Sequence, residues 1–133
     1  ASEGAEDIQL LPFQPCFDRD DYAHEITQHI LQTTPDLSAI YVTANGQQGV
    51  CQAVEEAGLK GRVRVIAYDL NAPNRQLLRN GSLSFAIDQA AFQQGALPPM
   101  VLFDALCRDK PPAKEFLYTD ILIRTKYNLP DPS

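Results

Sequence analysis

Three side chains with planar polar heads, Asn45, Asp69 and Gln89, each follow a short apolar run in this 133-residue chain. The runs are AIYVT (Ala39–Thr43), VRVIAY (Val63–Tyr68) and LSFAI (Leu83–Ile87). A carboxamide offers two donors and an acceptor, whereas an ionised Asp offers acceptors alone. Neutral polyols need that mixture, because each hydroxyl both gives and takes a hydrogen bond. An ionised carboxylate raises such bonds to roughly 1.5–3 kcal/mol each, against about 1 for neutral pairs. Each residue also has a plainer reading. Asn45-Gly46 suits a turn and helix N-cap, Asp69 could cap a helix over Asn71–Arg79, and Gln89 could sit in an exposed loop. Recurrence at three successive strand ends favours one wall of a small-molecule site, since ligands of parallel α/β sheets bind beyond the carboxyl ends of the strands.

The elements that must hold these residues follow from local pattern. Ile8–Phe13 (IQLLPF) is a short apolar run expected to form a buried strand ended by Pro12. Asp20 or Asp21 is expected to N-cap a helix whose apolar stripe is Tyr22, Ile26, Ile30 and Leu31. Thr34-Pro35-Asp36 stops it, because the residue before proline is pushed out of the helical region. After the AIYVT strand, Val50, Cys51, Val54 and Ala57 share one helix face that ends at Gly58. A helix from Ala72-Pro73 to Gly81 follows the second strand, with proline tolerated in its first turn. Beyond Gln89, Pro98-Pro99 predicts a kinked helix, or a second helix starting there and running to about Arg108, since an interior proline costs about 3 kcal/mol. Glu115–Arg124 (EFLYTDILIR) predicts one or two further strands. Strands and helices thus alternate with crossovers of helix length. The expectation is a single three-layer α/β domain over residues 1–133, with a mainly parallel sheet, right-handed connections and helices on both faces.

Composition narrows the function classes. The net charge is −6 and no Lys/Arg block occurs, so the chain lacks the clustered cations from which nucleic-acid binding draws its affinity. No apolar run approaches the ~18 residues of a membrane helix. The start, ASEGAED, is acidic and carries no signal-peptide pattern. Cys16, Cys51 and Cys107 are odd in number and far apart, so they read as unpaired thiols packed like small hydrophobes in a reducing, cytoplasmic compartment. His24 and His29 are five residues apart and do not share a helix face as metal ligands would. No metal or cofactor is expected. Neither a G-x-G-x-x-G nor a P-loop occurs, no Ser/His/Asp set is apparent, and Asp69 has no evident acid–base partner, so an enzyme is not expected.

The segments PDLSAIYVTANG, GVCQAVEEAGL, VRVIAYDL, LLRNGSLSFAIDQ, the QQG after it and the closing ILIRTKYN add a family likeness. In order and spacing, from about Thr34 to Asn128, they resemble the C-terminal half of the sugar-sensing domain of LacI/GalR-family transcription regulators. They are similar also to the related type I periplasmic sugar-binding proteins. The resemblance implies one lobe of a type I periplasmic-binding-protein-like fold, with residues matching Asn45, Asp69 and Gln89 contacting a sugar and Phe17 the nearest candidate to stack on its ring. A place in the core is the equal alternative for Phe17. It implies an effector-sensing module in which sugar bridges two lobes and biases DNA binding through an N-terminal headpiece absent from this chain. The second reading is a periplasmic sugar-binding protein feeding an ABC transporter. Three departures stand out. Gly46 replaces a common Asp, Pro98-Pro99 interrupts a usually long helix, and the other lobe, with the Arg that typically helps hold the sugar, lies upstream. Residues of about 90–120 are then expected to belong to that other lobe. A helix near Met100–Leu106 would lack its packing partner, and homodimerisation or segment exchange is expected.

Overall fold

The computed structural model describes residues 8–130. Eight elements follow one another: α1 (Asp20–Thr33), β1 (Ala39–Val42), α2 (Gln47–Glu56), β2 (Arg64–Tyr68), α3 (Ala72–Arg79), β3 (Phe85–Asp88), α4 (Ala91–Cys107) and β4 (Leu122–Arg124). The strands make one sheet in the order β1-β2-β3-β4, with β1–β2 and β2–β3 parallel and β4 antiparallel to β3. The fold is therefore the open, mainly parallel α/β sheet expected from the alternating pattern.

Register explains how the helices seat. Val42 lies opposite Ala67, and Ala67 opposite Ala86, giving a row of small side chains across three strands. Ala67 and Ala86 are completely buried. Against this face pack Ala23 of α1, Val50, Cys51 and Val54 of α2, and Leu78 of α3, all in one apolar cluster. Alternate strand residues point to opposite faces, so Tyr41, Ile66, Tyr68, Phe85 and Ile87 form the other face, which is half-buried to exposed. Helix α2 stops at Gly58, whose φ of +70° a side chain would strain. Helix α3 starts after Asn71, whose side chain accepts from the Asn74 N–H, with Pro73 in the first turn.

Several local expectations are corrected. Ile8–Phe13 forms no strand, and Ile8, Leu10 and Phe13 are exposed. A strand needs a ladder partner, and among the described residues β1 pairs with β2 alone. Neither Asp20 nor Asp21 caps α1, whose N-cap is Arg19 without a side-chain bond. Asp21 pairs with Arg19, and Asp20 instead accepts from the Gly49 N–H of α2 at 3.2 Å. The face of α1 buried on α2 is Ala23 and Thr27, while Tyr22 is exposed and Ile26, Ile30 and Leu31 are half-buried. On α2 the buried small residue is Ala53, not Ala57. Helix α4 runs through Pro98 and Pro99 as one element, not two. Of Glu115–Arg124, Leu122–Arg124 alone is strand. Cys51 is buried and free, with burial, aided by Glu55, pushing its thiol up to about 12. Cys107 is exposed, so packing as a small hydrophobe describes Cys51 and not all three cysteines.

Helices α1 and α2 meet where α2 has no side chain. A Cβ built on Gly49 would lie 1.9 Å from the Asp20 carbonyl oxygen. Real contacts cannot be that short, so Gly49→Ala must push α1 off the Ala23–Val50 contact. Overpacking of this kind costs typically 1–3 kcal/mol. Gly49→Ala is expected to lower the unfolding free energy by that amount, read as a lower urea midpoint with the slope unchanged. A midpoint equal to that of the parent chain would show that the α1–α2 crossing is looser than described.

Candidate functional site

Strands β1, β2 and β3 end at the same edge because all three are parallel, so the residues after them converge there. At the end of β2 the backbone reverses hand. Asp69 has φ +69°, in a region non-glycine residues enter at a cost of about 1–2 kcal/mol. Its N–H still donates to the Ile87 carbonyl at 2.8 Å, which keeps the turn attached to β3. The turn aims its side chain along the edge of the sheet, where Asp69 Oδ1 accepts from Gln89 Nε2 at 2.6 Å. Two residues singled out from sequence are thus brought into direct contact. Among the described residues Gln89 is that carboxylate's one hydrogen-bond partner, so the second oxygen faces outward. Asp69 itself is exposed.

Gln89 is positioned from both sides. The preceding Asp88 is half-buried, accepts from Arg124 Nε of β4 at 3.0 Å and also from the Ala90 N–H at 3.1 Å. Ala90 has φ +53°, a second left-handed residue at a strand exit. The Gln89 carbonyl accepts from Gln94 Nε2 at 3.0 Å, and Thr119 Oγ1 donates to it at 3.5 Å. Backbone strain tends to persist where surrounding contacts over-determine it, and these contacts do so.

Asn45, beyond β1, is exposed and is held through its backbone: its N–H donates to Asp18 Oδ1 at 3.1 Å, and Cys16 Sγ donates to its carbonyl at 3.4 Å. The N-cap of α2 is Gly46, without a side-chain bond, so the Asn45 carboxamide does not cap that helix. Phe17 and Asp18 are both left-handed, at φ +53° and +58°. That turn turns Phe17 outward, 74% exposed, with its ring edge on Tyr22 at 6.3 Å between centroids. Phe17 is therefore not a core residue. Asn45 and Phe17 border the same cavity of about 240 Å³, whose walls include Ile26, Ile30 and Ile40. That cavity excludes Asp69 and Gln89, so the structure joins the four candidates as two pairs.

Sequence reasoning did not single out Asn74. It is completely buried, and its Nδ2 donates to the Tyr68 carbonyl at 3.1 Å and the Asp69 carbonyl at 2.8 Å. Asn71 Oδ1 accepts from its backbone N–H at 2.9 Å. The Asn-x-x-Asn spacing across a helix start was the available signal. Asp69 does not cap α3; Asn71 does.

A cavity of about 730 Å³ lies between α4 and residues 112–121. Gln89, Gln94 and Thr119 stand on its wall with Lys114 and Glu115, while Leu97, Val101, Leu102, Leu117 and Ile121 supply much of the remaining lining. So large an aliphatic share suits a packing partner better than a polyol. Among the described residues no group of three His, Cys, Asp or Glu side chains is arranged to hold a metal, and no helix is long and apolar enough to cross a membrane.

Comparison with known proteins agrees with the fold. The family model for the periplasmic binding protein domain matches residues 2–110. The D-allose-binding periplasmic protein of Escherichia coli K12 is 30% identical, over 95% of this chain and 42% of that relative. An ABC transporter solute-binding protein from Actinobacillus succinogenes, solved with bound D-allose, matches with a TM-score of 0.72 at 26% identity, over 84% of this chain and 39% of that one. One from Agrobacterium vitis with bound D-fucose matches with a TM-score of 0.76 at 23% identity, over 93% of this chain and 42% of that one. This chain thus spans less than half the length of these relatives.

Replacing Asn71 by Ala removes the cap of α3 and is expected to destabilise the fold by about 1 kcal/mol, with Asn71→Ser close to the parent. Denaturant unfolding checks this. Equal stability of all three chains would mean that the cap contributes nothing.

With its sheet, its turns at the strand exits and its matched relatives in view, the chain belongs to the periplasmic binding protein domain family.

Proposed function

We propose that this chain supplies most of one lobe of a two-lobed monosaccharide-binding protein of the transporter-feeding kind, with Asp69, Gln89 and Asn45 on the sugar-facing wall. The observation that carries the proposal is the Asp69–Gln89 pair, 2.6 Å apart at adjacent strand ends. With one carboxylate oxygen engaged by Gln89, the other is free to accept from a sugar hydroxyl. The Gln89 carboxamide oxygen and the Asn45 carboxamide supply further acceptors and donors. Phe17, exposed beside Asn45, offers a face for the C–H side of a pyranose.

The relatives named above are periplasmic sugar-binding proteins and solute-binding proteins of transporters. They favour this reading over the transcription-regulator reading drawn from sequence, and the DNA-binding headpiece and cytoplasmic placement that came with it are not carried forward. The relatives bind sugars rather than transform them, which supports a binding role instead of an enzymatic one. We place the protein outside the cytoplasm accordingly.

Energetics require a second wall. Micromolar affinity corresponds to about −8 kcal/mol. Three or four polar contacts, set against an association cost of at least about 4 kcal/mol, do not reach that from one open edge. The second lobe belongs to the remaining length of the longer protein. Helix α4 fits this arrangement, for none of its residues is buried, and Phe92, Met100, Leu102, Phe103 and Leu106 are all exposed. In the longer protein this helix packs with the other lobe. In the isolated chain the same apolar face drives self-association.

Two measurements test the proposal. In the longer protein, Asp69→Ala removes one or two charge-assisted bonds and is expected to weaken sugar binding about 10- to 1,000-fold, with the circular dichroism spectrum unchanged. Unchanged affinity would remove Asp69 from the site. The isolated chain is expected to be a dimer by light scattering at high concentration, and a monomer there would count against an apolar surface that needs covering.

A further inference from the structure

Asn74 spends both of its side-chain N–H bonds on the carbonyls of Tyr68 and Asp69, at 3.1 and 2.8 Å. Successive carbonyls of an extended strand point to opposite sides, so one amide cannot reach two of them. The left-handed turn at Asp69 swings the second carbonyl round to the side of the first, where the Asn74 amide reaches both. The carboxamide is completely buried, and its oxygen has no hydrogen-bond partner among the described residues. Buried polar atoms are nearly always paired, so each exception asks for a reason. Here the two N–H bonds fix the orientation of the amide and leave its oxygen facing where nothing donates. A side chain selected for packing alone would be apolar at such a position.

We infer that Asn74 is a positioning residue for ligand binding: by bonding the carbonyls of Tyr68 and Asp69 it holds Asp69 left-handed, and so holds the Asp69 carboxylate against Gln89. Asn74 does not touch the ligand. Its own backbone is fixed by the Asn71 cap, so the start of α3 and the exit of β2 form one unit. Without the amide, both carbonyls lose their donor, and Asp69 is free to return to the negative φ that its side chain prefers. The carboxylate then leaves the sheet edge. The ligand part of the inference rests on the proposal that Asp69 meets a monosaccharide.

The test uses the longer two-lobed protein and four variants: Asn74→Ala, Asn74→Ser, Asp69→Ala and the Asp69→Ala/Asn74→Ala double. Each is held well below its own melting temperature and checked for native circular dichroism; Asn74→Ser retains one donor, in case Asn74→Ala fails to fold. Calorimetry with D-allose is the first readout. Asn74→Ala is expected to weaken binding at least tenfold and Asn74→Ser by less, whereas in the Asp69→Ala background the same change alters affinity less than twofold. A residue that merely supports packing would lower the melting temperature yet leave affinity unchanged, or weaken binding equally in both backgrounds. Either result overturns the inference. The second readout needs no sugar: the side-chain amide resonances of Gln89 in Asn74→Ala or Asn74→Ser are expected to move toward their positions in Asp69→Ala. If those resonances move while the parent protein binds no D-allose or other aldose, the positioning role stands and the sugar reading falls. If they stay in place, the positioning role falls whatever the sugar does.

Discussion

At the exit of β2 the Asp69 N–H still donates to Ile87 of β3, although the chain has already turned left-handed at that residue. This bond ties a strained turn to the most buried part of the sheet. The strands on either side of it contribute Val65, Ala67 and Ala86, which are essentially inaccessible. The parallel pairing of β1, β2 and β3 sets where the turn lies, the Asn71 cap fixes the helix that follows, and Asn74 joins the two. The polar groups of the candidate site therefore stand on a backbone whose conformation is held from below.

The central elements were legible in the sequence because their signals are local. AIYVT, VRVIAY and LSFAI carry the β-branched and aromatic residues of buried strands, and Gly58 and Ala72-Pro73 mark helix ends with residue types that those backbone positions require. Elements that depend on distant partners were less legible. Ile8–Phe13 has a strand's composition, but no ladder partner for it exists among the described residues. Asp20 looks like a cap for its own helix, yet its carboxylate serves α2, because the two helices cross at Gly49 closely enough for that bond to form. In α4, Pro98 and Pro99 left a kinked helix or a second helix open, and one helix runs through them.

The site was legible in part for the same reason. Asn45, Asp69 and Gln89 were found by their place after strands, and the parallel sheet sets those three positions along one edge. Contact between Asp69 and Gln89 followed from two left-handed residues, Asp69 and Ala90, neither of them a glycine. Sequence gives no cue for a positive φ at Ala and a weak one at Asp, a residue type that visits the left-handed region more often than most. Asn74 was hidden because its role lies in bonds to the backbone five and six residues earlier, which pattern alone does not reveal. Phe17 was ambiguous between core and surface, and a pair of left-handed residues settles it outward.

An open edge with polar groups and, beside it, an apolar helix with no buried residue are two surfaces this chain presents. Under the proposed function both are covered by a second lobe of the longer protein, with sugar at the first and side chains at the second. A crystal structure of that longer protein with D-allose tests the account most directly. Hydroxyl oxygens of the sugar are expected within about 3 Å of the Asp69 carboxylate and the Gln89 carboxamide, at the ends of β1, β2 and β3. Sugar bound elsewhere, with Asp69 and Gln89 left in contact with solvent alone, would contradict it.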